Sequence, residues 1–291
     1  MKNILIYFDM DERPSPFDIL FAYDVGFDIV LPFSGVGMEE ITALVQDAMF
    51  PRGPKGAKYT TLFFGGTDLD VVEKMAGKAR KTMFPPFQLS IAIDPKGSYT
   101  TPSAIVAKVL EALSIKGESL SGKKAAVLGG CGRLGRVTSR ILAKEGVEVT
   151  ILDVIEGVGT VAEDISEKVD RKVKGVRATS PEEIVSVAKD CEIVISAGPA
   201  GTELVPEEYV PRLEKCLVAA DVNAVPPAGI AGIKAKYDKK EKNGILTIGA
   251  LAIGNFRNKI ETKMLQTAME SEGAFLDYTS AFEFAKELAE I

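Results

Sequence analysis

One eleven-residue stretch, Ala125-Ala126-Val127-Leu128-Gly129-Gly130-Cys131-Gly132-Arg133-Leu134-Gly135, narrows what this chain can become more than any other. A short apolar run, suited to a buried strand, leads into Gly130, Gly132 and Gly135 at GxGxxG spacing, and a helical pattern follows over 134–144. Between a strand and a helix the spacing has a mechanical meaning. Gly130 is expected to permit the tight turn, Gly132 to let the backbone approach a pyrophosphate, and Gly135 to let the helix pack close to the sheet. The helix N-terminus, opening at Arg133 and Leu134, then turns free N–H groups and a partial positive charge toward the phosphates. Cys131 reads as a small loop residue.

The next strand, 148–152, ends at Asp153, 23 residues beyond Gly130. An acid about 20 residues on accepts hydrogen bonds from the adenosine ribose and repels a 2′-phosphate. No Arg or Lys occurs in Val154-Ile155-Glu156, so NAD is favoured, with NADP as a second acceptor. Two later strands end in Ser196-Ala197-Gly198-Pro199-Ala200-Gly201 and in Asp221-Val222-Asn223-Ala224-Val225-Pro226-Pro227-Ala228-Gly229. Ligands of open α/β sheets bind beyond the carboxyl ends of strands, so Ser196, Ala197, Gly198, Asp221 and Asn223 are candidates for the nicotinamide half. Asn223 is suited to hold a carboxamide. These features make a Rossmann-type dinucleotide domain.

The rest of the chain alternates in the same way. Strands are predicted over 4–8, 28–32, 60–64 and 88–93, with helices over 15–25, 38–49, 69–81 and 101–115. Beyond residue 116, strands are predicted over 124–128, 148–152, 192–195, 217–221 and 245–248. Helices there are predicted over 134–144, 161–169, 181–188 and 207–213, then 253–269 and 279–289. Ser15-Pro16-Phe17-Asp18 and Ser180-Pro181-Glu182-Glu183 mark helix starts by their capping residues. The expectation is α/β with two domains. Residues 1–115 form a smaller α/β domain, 116–250 the dinucleotide domain, and 251–291 helices that return to the first.

Composition excludes several classes. The net charge of −6 argues against nucleic acid as the main partner. The three cysteines show no CxxC pairing, so neither a disulfide framework nor a metal site is readable. No apolar run reaches membrane-spanning length, and the N-terminus reads as a first strand, which points to the cytoplasm. Histidine is absent. The chemistry must therefore proceed without the commonest general base.

The strand ends quoted above, together with Ile230-Ala231-Gly232-Ile233 and Ile248-Gly249-Ala250-Leu251-Ala252-Ile253-Gly254-Asn255, resemble NAD(P)-dependent methylene-tetrahydromethanopterin dehydrogenases. Ser15-Pro16-Phe17-Asp18, Phe50-Pro51-Arg52, Gly65-Gly66, Pro85-Pro86-Phe87 and Asp94-Pro95-Lys96-Gly97-Ser98-Tyr99-Thr100-Thr101 extend the resemblance over roughly residues 4–289. The branch resembled uses either NAD or NADP. The implied reaction is hydride transfer from methylene-tetrahydromethanopterin to the nicotinamide in one-carbon metabolism, as in formaldehyde oxidation by methylotrophs. The product cation is delocalised over an N–C–N unit, so no hydroxyl proton must be removed. The lack of histidine then ceases to be an obstacle.

The resemblance also implies site residues. The first domain becomes the pterin-binding one, with the pterin in a cleft between domains. Phe17 matches an aromatic near the reacting rings, Asp18 is a candidate for pterin N–H recognition, and Arg257 aligns with a basic residue near the substrate. Asp94, Ser98, Thr100 and Thr101 lie where a strand enters a long helix, Thr101 being equally suited to an N-cap. Lys259 is half a helical turn from Arg257, and Glu261 stands where the strictly NADP-dependent branch has histidine. Phe275 is a candidate to line the pocket. A homo-oligomer is implied. Methylene-tetrahydrofolate as carrier, a quinate-type dehydrogenase and a non-catalytic NAD sensor remain open at this point.

Overall fold

The computed structural model describes residues 1–291. In chain order the first elements are β1 (Ile4–Asp9), α1 (Pro16–Val25), β2 (Ile29–Phe33), α2 (Ile41–Met49), α3 (Gly53–Ala57) and β3 (Thr60–Gly65). Next come α4 (Leu69–Thr82), β4 (Ser90–Ile93), α5 (Thr100–Ile115), β5 (Lys124–Leu128), α6 (Arg133–Lys144) and β6 (Glu148–Asp153). They are followed by α7 (Val158–Val169), β7 (Lys174–Arg177), α8 (Pro181–Ala188), β8 (Ile193–Ser196) and β9 (Val218–Asp221). The last are β10 (Lys240–Lys242), β11 (Ile245–Ile248), α9 (Ala250–Glu270), β12 (Phe275–Leu276) and α10 (Tyr278–Ala289). The chain divides into two compact units.

Unit 1 comprises Met1–Thr100 and Asn258–Phe284. Its five strands run parallel in the order β12-β4-β3-β1-β2. The central β3 is buried at every position, as expected of a parallel strand covered on both faces. Local signals set the helices. The Ser15 side chain accepts from the Asp18 N–H, Pro16 opens α1, and Gly26 closes it at φ 114. The Asp68 carboxylate likewise accepts from Asp70 and Val71 N–H at the start of α4. Edge strand β12 pairs Phe275 with Ile91.

Unit 2 comprises Thr101–Arg257 and Ala285–Ile291. Its seven strands follow the order β10-β11-β9-β8-β5-β6-β7. Counted from β5, the parallel strands read 3-2-1-4-5-6, the dinucleotide-binding order, with its topological switch between β5 and β8. The antiparallel β10 is joined to β11 through Asn243-Gly244, both at positive φ, as a tight hairpin demands.

Several expectations need correction. The first break between units falls at the start of α5, between Thr100 and Thr101, rather than following residue 115. Helix α5 is buried almost all round through residues 102–109. It is pinned within unit 2 by Lys108, whose ammonium lies 3.1 Å from both Glu111 and Asp238. The second break falls inside α9, between Arg257 and Asn258, rather than at 250. The helix expected over 207–213 is only a 3-10 turn at Val210–Arg212. Pro211 lacks an N–H, and its ring disfavours helical geometry at Val210. The start of α5 is held by Asp94, which accepts from the N–H groups of Tyr99 and Thr100, so Thr101 is not the cap.

Candidate functional site

At the carboxyl ends of β5, β6 and β8, unit 2 encloses a cavity of about 640 Å³. Of the residues predicted to bind cofactor, Gly132, Arg133, Leu134, Asp153, Ala197 and Gly198 line it. The glycines divide their work differently from expectation. The left-handed turn belongs to Gly129, at φ 70, not to Gly130. A Cβ on Gly129 would lie 2.6 Å from the Gly198 Cα, so the ends of β5 and β8 approach backbone to backbone. Gly130 is side-chain-free because Ile151 of β6 fills the space. At Gly135 a Cβ would meet the Gly129 carbonyl at 2.5 Å, which is the close packing of α6 on the loop. Gly132 differs from all three: its nearest neighbour, the Gly129 carbonyl, stands at 3.4 Å. The protein itself leaves room for a side chain there.

Asp153 holds this loop in place. Its Oδ2 accepts from the Cys131 N–H at 3.0 Å and its Oδ1 from the Val154 N–H at 2.8 Å. Burial first, then the neighbouring Asp153 charge, push the Cys131 thiol up to about 12, so it is not a ready nucleophile. The exposed apolar side chains of Val154 and Ile155 also line the cavity. In the sequence they stand out only for carrying no positive charge.

Ser196, Asp221 and Asn223 are committed to the protein rather than to the cavity wall. Asp221 accepts from the N–H groups of Asn223 (2.9 Å) and Ile230 (3.0 Å). Burial raises its carboxyl above the usual range despite these bonds and one from Ser196. Asn223 donates to the Pro227 carbonyl and accepts from the Val225 N–H. Its amide thus staples the loop after β9, using one of its two N–H donors and one of its oxygen's two lone pairs.

Unit 1 carries a second polar cluster at the carboxyl ends of its strands. The Tyr7 hydroxyl lies 2.6 Å from Asp9 Oδ2 and 2.9 Å from Asp18 Oδ2. A phenol has a single proton, which the two carboxyl groups must share. Burial, followed by the charges of Asp18 and Asp9, pushes this hydroxyl well above the ordinary tyrosine range. The Lys96 ammonium sits 3.6 Å from Asp9 and 3.2 Å from Asp11. Burial pushes the Asp11 carboxyl up, but hydrogen bonds from Thr67 and the Lys96 ammonium outweigh it and hold the pKa below the usual carboxylate range. Lys96 adopts φ 48, a conformation an L-residue accepts only under constraint. Tyr7, Asp9 and Lys96 were missed as site candidates. Tyr7 and Asp9 look like part of an ordinary buried strand, and only the fold sets Asp18 beside them.

The other predicted residues are placed as follows. Phe17 is half-exposed and stacks on Phe21 at 4.7 Å. Asp94 is spent on the start of α5, and Oδ2 accepts from the Thr100 hydroxyl at 2.6 Å. The Ser98 hydroxyl is buried and has no hydrogen-bond partner. Phe275 lies under the Arg80 guanidinium, 4.6 Å from the ring centroid. On α9, Glu261 is buried, Lys259 is exposed, and Arg257 of unit 2 is largely buried. Thr101, in unit 2, is half-buried.

A family model described as "Methylene-tetrahydromethanopterin dehydrogenase, N-terminal" matches residues 16–96. The NAD(P)-dependent methylenetetrahydromethanopterin dehydrogenase of Methylorubrum extorquens is 36% identical, over 99% of each chain. This chain belongs to the methylene-tetrahydromethanopterin dehydrogenase family. A second relative from that organism, the bifunctional protein MdtA, is 32% identical over 99% of each chain. Among solved structures, shikimate 5-dehydrogenase from Listeria monocytogenes, in complex with shikimate and NAD, has a TM-score of 0.52 at 17% identity. It covers 99% of this chain and 96% of its own, a likeness of fold.

As a member of the methylene-tetrahydromethanopterin dehydrogenase family the chain is an NAD(P)-dependent oxidoreductase, and the cavity in unit 2 fits a dinucleotide. Room left empty by protein over Gly132, a helix N-terminus at Arg133 and an acid at the end of β6 are what a pyrophosphate and a ribose require. No helix in this family member is long and apolar enough to cross a membrane.

Proposed function

We propose that the chain oxidises methylene-tetrahydromethanopterin to methenyl-tetrahydromethanopterin, NAD(P)+ taking the hydride, in one-carbon metabolism of the formaldehyde-oxidising kind. The observation that carries this reading is a 36% identity extending over 99% of both chains, so that both units are matched at once. When bound, the nicotinamide supplies the hydride acceptor. The chain's own task is to bind, orient and exclude water. The methylene carbon loses hydride and leaves a cation spread over two nitrogens, so no acid or base is needed. A chain without histidine is suited to that chemistry.

In this reading the pyrophosphate lies over Gly132 at the N-terminus of α6, beside Arg133 and Leu134, with Gly130 and Gly135 shaping the loop. Asp153 takes the adenosine ribose, and Ala197 and Gly198 flank the nicotinamide side. Ser196, Asp221 and Asn223 are placed on the nicotinamide side, where their bonds to one another and to the loop after β9 hold that wall in shape. Phe17 and Asp18 take the pterin, with Asp94, Ser98, Thr100, Thr101 and Phe275 in support. The unpartnered Ser98 hydroxyl favours a ligand or water there. Arg257, Lys259 and Glu261 are the residues of α9 assigned to the substrate. We place the reaction in the cytoplasm and the protein in a homo-oligomer. The exposed Leu20 and Tyr23 of α1 and Leu31 and Phe33 of edge strand β2 are apolar surface available for self-association.

The test mixes purified protein with methylene-tetrahydromethanopterin or its tetrahydrofolate analogue, each with NAD or NADP, and follows nicotinamide reduction. Reduction with the methanopterin substrate is expected. Reduction only with the folate would reassign the carrier, and dinucleotide binding without turnover would make the protein a sensor.

A further inference from the structure

The cation that the sequence lacks after β6 arrives from the neighbouring strand. Arg177 closes β7 and is the register partner of Asp153 across the parallel pair. The two strands are about 4.8 Å apart, so their carboxyl ends share one rim of the cavity. The next residue, Ala178, lines the cavity and donates its N–H to the Asp153 carbonyl at 2.9 Å. The Arg177 side chain bends over the loop that begins at Asp153, its Nε donating to the Val154 carbonyl at 3.0 Å. That bond fixes the guanidinium plane against the loop.

Two acids flank this guanidinium. Glu156 Oε1 stands 3.8 Å from Nη1. Glu183 lies close enough that the Arg177 charge is among the influences holding its carboxyl low, after its bonds to Thr179. Glu156 is 88% exposed, and a solvated ion pair of that kind is weak. A phosphomonoester carries more charge and accepts a guanidinium through two oxygens, so it competes well against such a carboxylate.

We propose that Arg177 is the residue that admits a 2′-phosphate on the adenosine ribose, with Glu156 as the competing anion that moderates it. The assignment rests on the adenosine end of the dinucleotide lying beside Asp153. Asp153 opposes Arg177 at the same position. Both its oxygens already accept backbone N–H groups, so it stays turned toward the loop while ionised. The balance of one fixed anion and one anchored, partly neutralised cation gives a site open to NAD and NADP alike. It also explains why Val154-Ile155-Glu156 contains no cation. Arg177 is 24 residues beyond Asp153 and meets it only through strand pairing.

Calorimetric binding of 2′,5′-ADP and of 5′-ADP to the full chain separates this role from a structural one. Arg177→Gln is expected to weaken 2′,5′-ADP by about ten- to a hundredfold while 5′-ADP stays within about twofold, the scale of losing a charge-assisted contact. Glu156→Gln is expected to tighten 2′,5′-ADP and to leave 5′-ADP unchanged. Raising the salt concentration is expected to weaken 2′,5′-ADP in the unaltered protein more than in Arg177→Gln. Equal losses for both ligands would make Arg177 a loop brace and overturn the proposal. No loss for either would overturn it as well. Binding of 5′-ADP with undiminished discrimination in Arg177→Gln leaves the dehydrogenase reading intact and removes only this assignment. Failure of both ligands to bind the unaltered protein removes both.

Discussion

Tyr7 shows how much one side chain can be asked to reconcile. Its ring packs edge-on to Phe63 at 5.0 Å, and its hydroxyl serves two acids in a buried setting. Gly65 leaves the space: a Cβ there would come within 2.5 Å of the hydroxyl. The raised pKa has a thermodynamic consequence. The unfolded chain ionises a tyrosine near pH 10, whereas the folded chain resists. Stability contributed by neutral Tyr7 is therefore complete below about pH 10 and declines as the pH rises further. Phenolate absorbance, compared with that of Tyr7→Phe, is expected to show Tyr7 titrating only as the protein unfolds in alkali. Tyr7→Phe removes that step and makes alkaline unfolding less steep. A Tyr7 that titrates with the native protein intact would contradict the burial described.

At the scale of elements, the glycine loop yields a sharper expectation than its motif does. Gly135→Ala drives a Cβ into the Gly129 carbonyl and the Gly130 Cα. Such overpacking at the base of α6 is expected to lower stability by about 1–3 kcal/mol. Gly132→Ala meets nothing closer than 3.4 Å and should melt with the unaltered protein. It is nonetheless expected to weaken NADH binding severely, because the space it fills is the one a pyrophosphate needs. Thermal melts and dinucleotide titrations of the two variants separate a folding role from a binding role. Most of the central strands and helices were legible from apolar runs and capping residues. What escaped were three of the four edge strands, β2 being the exception. The β7 sequence Lys-Gly-Val-Arg and the β10 sequence Lys-Glu-Lys contain no apolar run, because edge strands are only half covered and are protected by charge. The two-residue β12 is too short to leave any signal. At the site, residues local to a motif, such as Gly132 and Asp153, were readable. Arg177, and the Tyr7 and Asp9 that join the expected Asp18, were not, since register and topology bring them together.

At the scale of the molecule, unit 1 is assembled from two segments far apart in the chain, Met1–Thr100 and Asn258–Phe284, with Thr101–Arg257 of unit 2 between them. Its sheet is finished only when β12 pairs with β4, and Ser90 ties the two regions further by donating to the Ser271 carbonyl and accepting from the Ala274 N–H. A chain ending at Glu270 lacks β12 and α10 and is expected to aggregate, as light scattering and gel filtration would reveal. A truncated chain as soluble as the full one would show that β4 tolerates an open edge. The same arrangement sets an order of events on the ribosome. The long contiguous stretch of the second unit leaves the exit tunnel while the first four strands still wait for their last neighbour. The newborn protein therefore carries an unsealed sheet margin until residue 276 has been made, and the length of that exposure is set by the time taken to synthesise residues 94–276.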